Sequence, residues 1–197
     1  LMGIFAPRVR EEDGTRLDLV SVDSPCVVVA NHPCLLDIVL LMGAMEEGVV
    51  VVKPWVYFNP FIGLLAWCCG YIRGGDGLAR GMSVIREATQ RIEEGSTVVL
   101  FPEGTRSPRG GMHEFQRGAF RIAKRTDVPL APFHIRCEPA VLGKGQSLAE
   151  FPVDEPVTFE ARKMWRGEPD VFVDDEQACA RQLEQTYGAL LDAKQLS

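Results

Sequence analysis

Thr97-Val98-Val99-Leu100-Phe101-Pro102-Glu103-Gly104-Thr105-Arg106-Ser107 is the stretch around which the rest of the chain is arranged. Thr97 to Leu100 is a compact β-type run. The Pro and Gly that follow deliver the next residues into a loop at a sheet edge. Pro102 removes a backbone donor, and Gly104 lets a ligand approach the main chain closely. Glu103 and Arg106 put charge beside a buried strand, and the planar fork of Arg suits a phosphate or a carboxylate. Taken singly, each is an ordinary residue of a polar turn. A second motif upstream supplies matching chemistry.

That motif follows Cys26-Val27-Val28-Val29-Ala30, a buried strand rich in β-branched residues. Asn31-His32-Pro33-Cys34-Leu35-Leu36-Asp37 comes next and leads into the apolar Ile38 to Met45. Asn31 or His32 is placed as an N-cap and Pro33 as a first helical residue, so the strand turns sharply into a helix with His32 at the turn. Gly48 to Lys53 is another buried strand. Leu78 to Glu94 is the clearest amphipathic helix: Met82, Ile85, Ala88 or Thr89, and Ile92 share a face, and Gly95 stops it. Ser107 to Gly111 is a turn-rich loop, Gln116 to Thr126 a helix with basic side chains, and Val128 to Ile135 a strand with prolines at its start. Val157 to Ala161 is a late strand. Asp174-Asp175-Glu176 opens a final helix to about Lys194, with acids suited to the helix dipole. Leu17 to Val22 alternates weakly as a first strand, and Pro139 to Pro156 has no period and reads as a mobile excursion. Strands and helices alternate throughout. That predicts one α/β domain over residues 1–197, with a mixed, largely parallel sheet flanked by helices.

Composition sets bounds on function. The 197 residues suit one domain with a full core, and 46% hydrophobic with 24% charged is a globular balance. The net charge of -6 is uneven. Lys53 to Arg125 carries eleven Lys/Arg against six acids, whereas Glu150 to the end carries five against eleven. The positive middle fits an anionic ligand or a membrane face, or a mixed solvated surface. Nothing resembles a nucleic-acid module. The six cysteines form no C-x-x-C pair and read as reduced core thiols of a cytosolic protein. The three histidines have no ligand spacing with them, so no zinc site is expected. No signal peptide is evident. Leu1-Met2-Gly3-Ile4-Phe5 is either the stub of an apolar segment or a start site. The uncharged run from Pro54 to Ile72 approaches the roughly 20 residues a membrane span needs, but Pro54, Asn59, Pro60 and Gly63 interrupt it. Its Trp, Tyr and Phe suit an interface, which predicts a loop and short helix dipping into lipid. An ordinary hydrophobic layer under the sheet is the equal alternative.

His32 and Asp37 are five apart, which on one continuous helix puts them about 140° apart. With His32 just before the helix, Asp37 can reach the imidazole, because helical side chains lean towards the N-terminus. A carboxylate on one ring nitrogen fixes the tautomer and raises basicity at the other, which can then take a proton from an alcohol. Alone, the pair reads more readily as a structural histidine that holds a strand–helix turn. Placement adds weight, since ligands gather outside the carboxyl ends of parallel strands, and both loops follow such ends.

Asn31-His32-Pro33-Cys34-Leu35-Leu36-Asp37 resembles the His-x4-Asp motif of the glycerolipid acyltransferases, the family of 1-acylglycerol-3-phosphate acyltransferase. Phe101 to Ser107 is similar to that family's most distinctive string. Lys53-Pro54 with Asn59-Pro60-Phe61 and Gly63, Glu114 to Ala119, and Val128 to Pro132 resemble further blocks, so the likeness covers roughly residues 26 to 135. The resemblance implies a glycerol-3-phosphate acyltransferase-like fold on the cytoplasmic face of a membrane. It implies transfer of a fatty acyl group from an acyl-CoA or acyl carrier protein thioester to the hydroxyl of a lysolipid acceptor. His32 would be the base and Asp37 its orienter. Arg106 would bind the acceptor's phosphate, with Glu103, Gly104 and Thr105 shaping the loop. Arg73 is the counterpart of the family's second-block arginine, with Arg80 the alternative. No metal is implied, and no cofactor beyond the thioester co-substrate.

The sequence also departs from the family. Gly70 to Asp76 is shortened and glycine-rich where that second block falls, and the family's N-terminal membrane helices are missing from this chain. The acceptor could therefore be another hydroxyl lipid, such as an ornithine lipid precursor or an aryl polyene glycolipid. A non-enzymatic lipid-binding protein and a cysteine hydrolase using Cys34 are the competing readings.

Overall fold

The computed structural model describes residues 25–43, 45, 47–60, 63–139, 141–146, 158–164 and 175–194. Five short hydrophobic runs become parallel strands: β1 (Val27–Ala30), β2 (Gly48–Val52), β3 (Ile72–Arg73), β4 (Thr97–Leu100) and β5 (Leu130–Glu138). β6 (Thr158–Lys163) runs antiparallel to β5 and completes the order β3-β2-β4-β1-β5-β6. The register places Val29 of β1 beside Leu100 of β4 and Pro132 of β5. β1 is thus central, and its four residues are wholly buried. A strand covered on both faces must be apolar throughout, which is why β1 and β2 read as valine runs rather than alternations.

The helices are α1 (Asp37–Met42), α2 (Pro54–Phe58), α3 (Gly63–Cys68), α4 (Leu78–Glu93), α5 (Gly118–Thr126) and α6 (Glu176–Lys194). They cover both faces of the sheet. Val27, Val29 and Val98 pack with Ile85, Ala88 and Ile92 of α4, Phe120 of α5 and Tyr187 of α6. Val28, Ala30, Val50 and Val99, one residue out of phase, pack with Leu41 of α1, and Val56 and Tyr57 of α2 join them. The period of two along each strand sorts side chains between these layers. This is the α/β fold with a mixed, largely parallel sheet that the alternation of elements predicts.

Several boundaries differ from expectation for physical reasons. The first helix starts at Asp37 after Leu36, not at Pro33, and neither Asn31 nor His32 caps it. Asn31 is committed elsewhere: its amide donates to the Ile135 carbonyl at 2.8 Å and accepts the Ile135 N–H at 2.6 Å. Met82 does not share the buried face of α4 but is half exposed, and Val84 takes its place. α5 begins at Gly118 rather than Gln116, whose N–H instead bonds the Pro102 carbonyl at 2.9 Å. The cysteines are not all core thiols: Cys26, Cys34 and Cys137 are buried, Cys179 is intermediate, and Cys68 and Cys69 at the outer end of α3 are exposed. The aromatic run 54–72 contains two short helices, not one. Asp175 caps α6 by accepting the Gln177 N–H at 2.9 Å. The expected strand at 17–22, the opening residues 1–5 and most of the excursion 139–156 lie outside the described residues.

Candidate active site

The loops after β1 and β4 leave the same edge of the sheet on neighbouring strands. The β4 loop folds across the end of β1. Ser107 N–H donates to the His32 carbonyl at 2.8 Å, and His32 N–H donates to Ser107 Oγ at 3.2 Å and to Glu103 Oε1 at 3.3 Å. Glu103 is nearly buried and uses both oxygens: Oε1 also accepts the Ser107 hydroxyl, and Oε2 accepts the His113 N–H at 2.9 Å. The carboxylate therefore braces two backbone N–H groups and the Ser107 hydroxyl around the histidine. Gly104 turns the loop in the left-handed region (φ 64°), where a side chain is strained.

His32 Nδ1 lies 2.9 Å from Asp37 Oδ2, with Asp37 fully buried. Asp37 also accepts the Cys34 N–H through Oδ2 and the Cys34 thiol through Oδ1, each at 2.9 Å. Burial pushes the Asp37 carboxyl above its ordinary range, and the hydrogen bonds from His32 and Cys34 pull it back. A carboxylate acceptor at Nδ1 puts the ring proton there and leaves Nε2 with its lone pair. The ring stacks on Phe101, centroids 4.2 Å apart, so its plane is set by packing as well as by Asp37. Cys34 is no nucleophile in this setting. Its buried thiol is pushed far above the ordinary range by the hydrogen bond with Cys137, then by burial and the adjacent carboxylate.

The remaining candidates are distributed along the same edge. Arg106 Nη1 donates to the carbonyls of Leu142 (2.8 Å) and Gly143 (3.0 Å), beyond β5, and Leu142 holds a left-handed backbone (φ 48°) there. Arg73 closes β3, three strand spacings or about 14 Å from β1. It is exposed, with its guanidinium 5.8 Å from the Phe58 ring centroid. Arg80 is turned back onto the backbone: it donates to the Arg73 carbonyl and, at 3.3 Å, to the Gly74 carbonyl, and pairs with Glu87 at 3.6 Å. Of the two arginines, Arg73 is the one with an outward-facing charge. Glu103 and Thr105 also wall a groove of about 780 Å³ that continues along Leu78, Met82, Ile85 and Phe115.

The loop brings His32, Asp37 and the Glu103 to Arg106 string together, while Arg73 stands apart along the edge. Sequence reasoning missed Asn31 as a tie between β1 and β5, Phe101 as the stacking partner, and Cys34 and Ser107 as donors to the two carboxylates. Their nearness to the motif residues in sequence was the only signal. Among the described residues, no group of three or more His, Cys, Asp or Glu side chains is arranged to hold a metal ion, and no helix is long and apolar enough to cross a membrane.

Comparison with known proteins bears on the family and the fold. The chain is similar to the 1-acyl-sn-glycerol-3-phosphate acyltransferase BAT2, chloroplastic, of Brassica napus, with 33% identity over 117 residues covering 58% of this chain and 34% of that one. It is 37% identical over 118 residues to the human 1-acyl-sn-glycerol-3-phosphate acyltransferase alpha, covering 55% and 39%. The chain thus spans between a third and two fifths of the length of these relatives. Its fold is similar to that of the crystal structure of the 1-acyl-sn-glycerophosphate acyltransferase PlsC from Thermotoga maritima, with a TM-score of 0.68 and 22% identity over 97% of this chain and 73% of that one. The Acyltransferase family model matches residues 9–136, a span that holds β1 to β4, both loops at the sheet edge and the His32–Asp37 pair, and on that match the chain belongs to the acyltransferase family.

Proposed function

We propose that this chain carries an O-acyltransferase centre. It moves a fatty acyl group from an acyl-CoA or acyl carrier protein thioester to the hydroxyl of a lysophospholipid such as 1-acylglycerol-3-phosphate, on the cytoplasmic face of a membrane. The observation that carries the reading is His32 Nδ1 held at 2.9 Å by a buried Asp37 on the edge where the Phe101 to Ser107 loop emerges. Nε2 takes the proton of the acceptor hydroxyl as the oxygen attacks the thioester carbonyl. Asp37 stabilises the imidazolium that forms. The tetrahedral intermediate then expels the thiolate, which takes the proton back from Nε2. Oxygen gains the acyl group, sulfur gains the proton, and no covalent enzyme intermediate forms. The groove beside Thr105, with Leu78, Met82, Ile85 and Phe115 on its walls, offers apolar surface for an acyl chain.

His32→Ala tests this. Transfer falls at least about a thousandfold while circular dichroism and thermal midpoint persist; a purified variant acylating at the wild-type rate overturns the base assignment. A second reading keeps the chemistry and changes the acceptor to a non-phosphate lipid. It is favoured by one observation: Arg106 Nη1 is already engaged with two backbone carbonyls. Arg106→Ala separates the two. With a phosphate acceptor the KM rises by about 10 to 100-fold; with a non-phosphate acceptor it is nearly unchanged. A panel of lysolipids with product identification by mass names the acceptor.

A further inference from the structure

The crossover from β2 to β3 is built of two short helices with an inverted economy of burial. On α2, Val56 and Tyr57 turn inward, and Tyr57 gives its hydroxyl to the Tyr71 carbonyl. Trp55 and Phe58, three apart and therefore on one face, turn outward at 48% and 75% exposure. On α3, Gly63 and Ala66 are buried, while Leu64 and Trp67, again three apart, are 69% and 72% exposed. The two helices pack on each other. The four side chains expose on the order of 400 Å² of apolar surface, the scale of a functional patch rather than of scattered exposed residues.

Charge identifies the occupant. From Gly48 to Gly75 the chain has no acidic residue, and its two charges are Lys53 and Arg73. Both are exposed, Lys53 immediately before α2 and Arg73 at the end of β3, with the Arg73 guanidinium over the Phe58 ring. Large aromatics flanked by cations, with no anion in the segment from Gly48 to Gly75 and the nearby Glu87 paired with Arg80, match an anionic lipid surface: rings seat at the headgroup level and cations meet phosphates. A protein partner built to cover this face would more commonly leave it neutral or mixed in sign. Position agrees, because α2 leaves the carboxyl end of β2, the edge that also bears His32 and the Phe101 to Ser107 loop.

We propose that Trp55, Phe58, Leu64 and Trp67 form a docking surface for an anionic lipid bilayer, with Lys53 and Arg73 engaging its headgroups. This deepens the reading above, resting on its lipid acceptor, by naming the face that meets the membrane. Docking there sets the catalytic edge beside the surface from which a lysolipid enters, so the acceptor need not cross bulk water.

The test uses the full chain and phosphatidylcholine vesicles with and without phosphatidylglycerol. The wild-type protein floats with the anionic vesicles, and brominated acyl chains quench its tryptophan emission. Leu64→Gln/Trp67→Gln lowers the partition coefficient at least about tenfold without changing circular dichroism. Lys53→Gln lowers it about fivefold at low salt and little at high salt. The double variant keeps its rate on detergent-dispersed substrate and loses rate on vesicle-borne substrate. Equal flotation of wild type and double variant overturns the proposal. So does a wild-type dimer that dissociates in the double variant and never binds vesicles, since the patch is then a contact between copies. Flotation is scored without turnover, so the two readings fail separately. Binding without acyl transfer defeats the enzyme assignment, and acyl transfer without binding defeats this surface.

Discussion

At the scale of single residues, Asp37 is where the proposed chemistry and stability oppose one another. Its carboxyl is buried, and its folded-state pKa lies above the unfolded one because desolvation outweighs the hydrogen bonds from His32 and Cys34. A raised acid binds its proton more tightly when folded. The penalty is therefore absent below the unfolded value, near pH 4, and grows as pH rises through the folded one. Asp37→Asn removes the ionisable group. Its thermal midpoint exceeds wild type at pH 7 to 8 (roughly neutral conditions), and the gain vanishes as pH falls towards about 4. Transfer drops about 10² to 10⁴-fold over the same range, because a neutral amide carries no charge to stabilise an imidazolium. Parallel scanning calorimetry and rate measurements against pH check both parts.

At the scale of elements, the β4 loop owes its shape to a few close approaches. Gly104 sits at φ 64°, and a Cβ there would stand 3.0 Å from Gln116 Nε2. Gly104→Ala therefore costs about 1–2 kcal/mol, read as a lower urea midpoint with unchanged slope. It also lowers turnover, since the same loop holds the His32 main chain through Ser107 and Glu103. The end of β1 is fixed from the other side by Asn31, whose side-chain amide extends the pairing to β5 as a further peptide group would. Asn was legible as a turn former; which backbone it would bond was not, because Ile135 is 104 residues away.

At the scale of the whole molecule, α6 closes the fold over the sheet. Tyr187 is wholly buried, and its hydroxyl lies 2.8 Å from the Phe133 carbonyl and 3.2 Å from that of Val29, joining the last helix to β5 and β1. Tyr187→Phe loses this link for about 1 kcal/mol, seen in the urea midpoint, while the edge that bears His32 keeps its geometry and the KM of the proposed transfer is unchanged. The strands were legible because residues buried on both faces must be apolar in unbroken runs, and α4 and the opening of α6 because amphipathic period and end charges are local properties. Met82 escaped that reading because period places a residue on a face, whereas only the neighbouring elements decide how far the cover extends. The first helix began late for a similar reason, since Asn31 found a partner in β5 rather than in its own next turn. The residue types at the edge that bears His32 are a property of the chain. That His32, Glu103 and Ser107 meet while Arg73 stands three strands away depends on strand order, and β2 and β4 reach their places through pairings distant in sequence that no local pattern encodes.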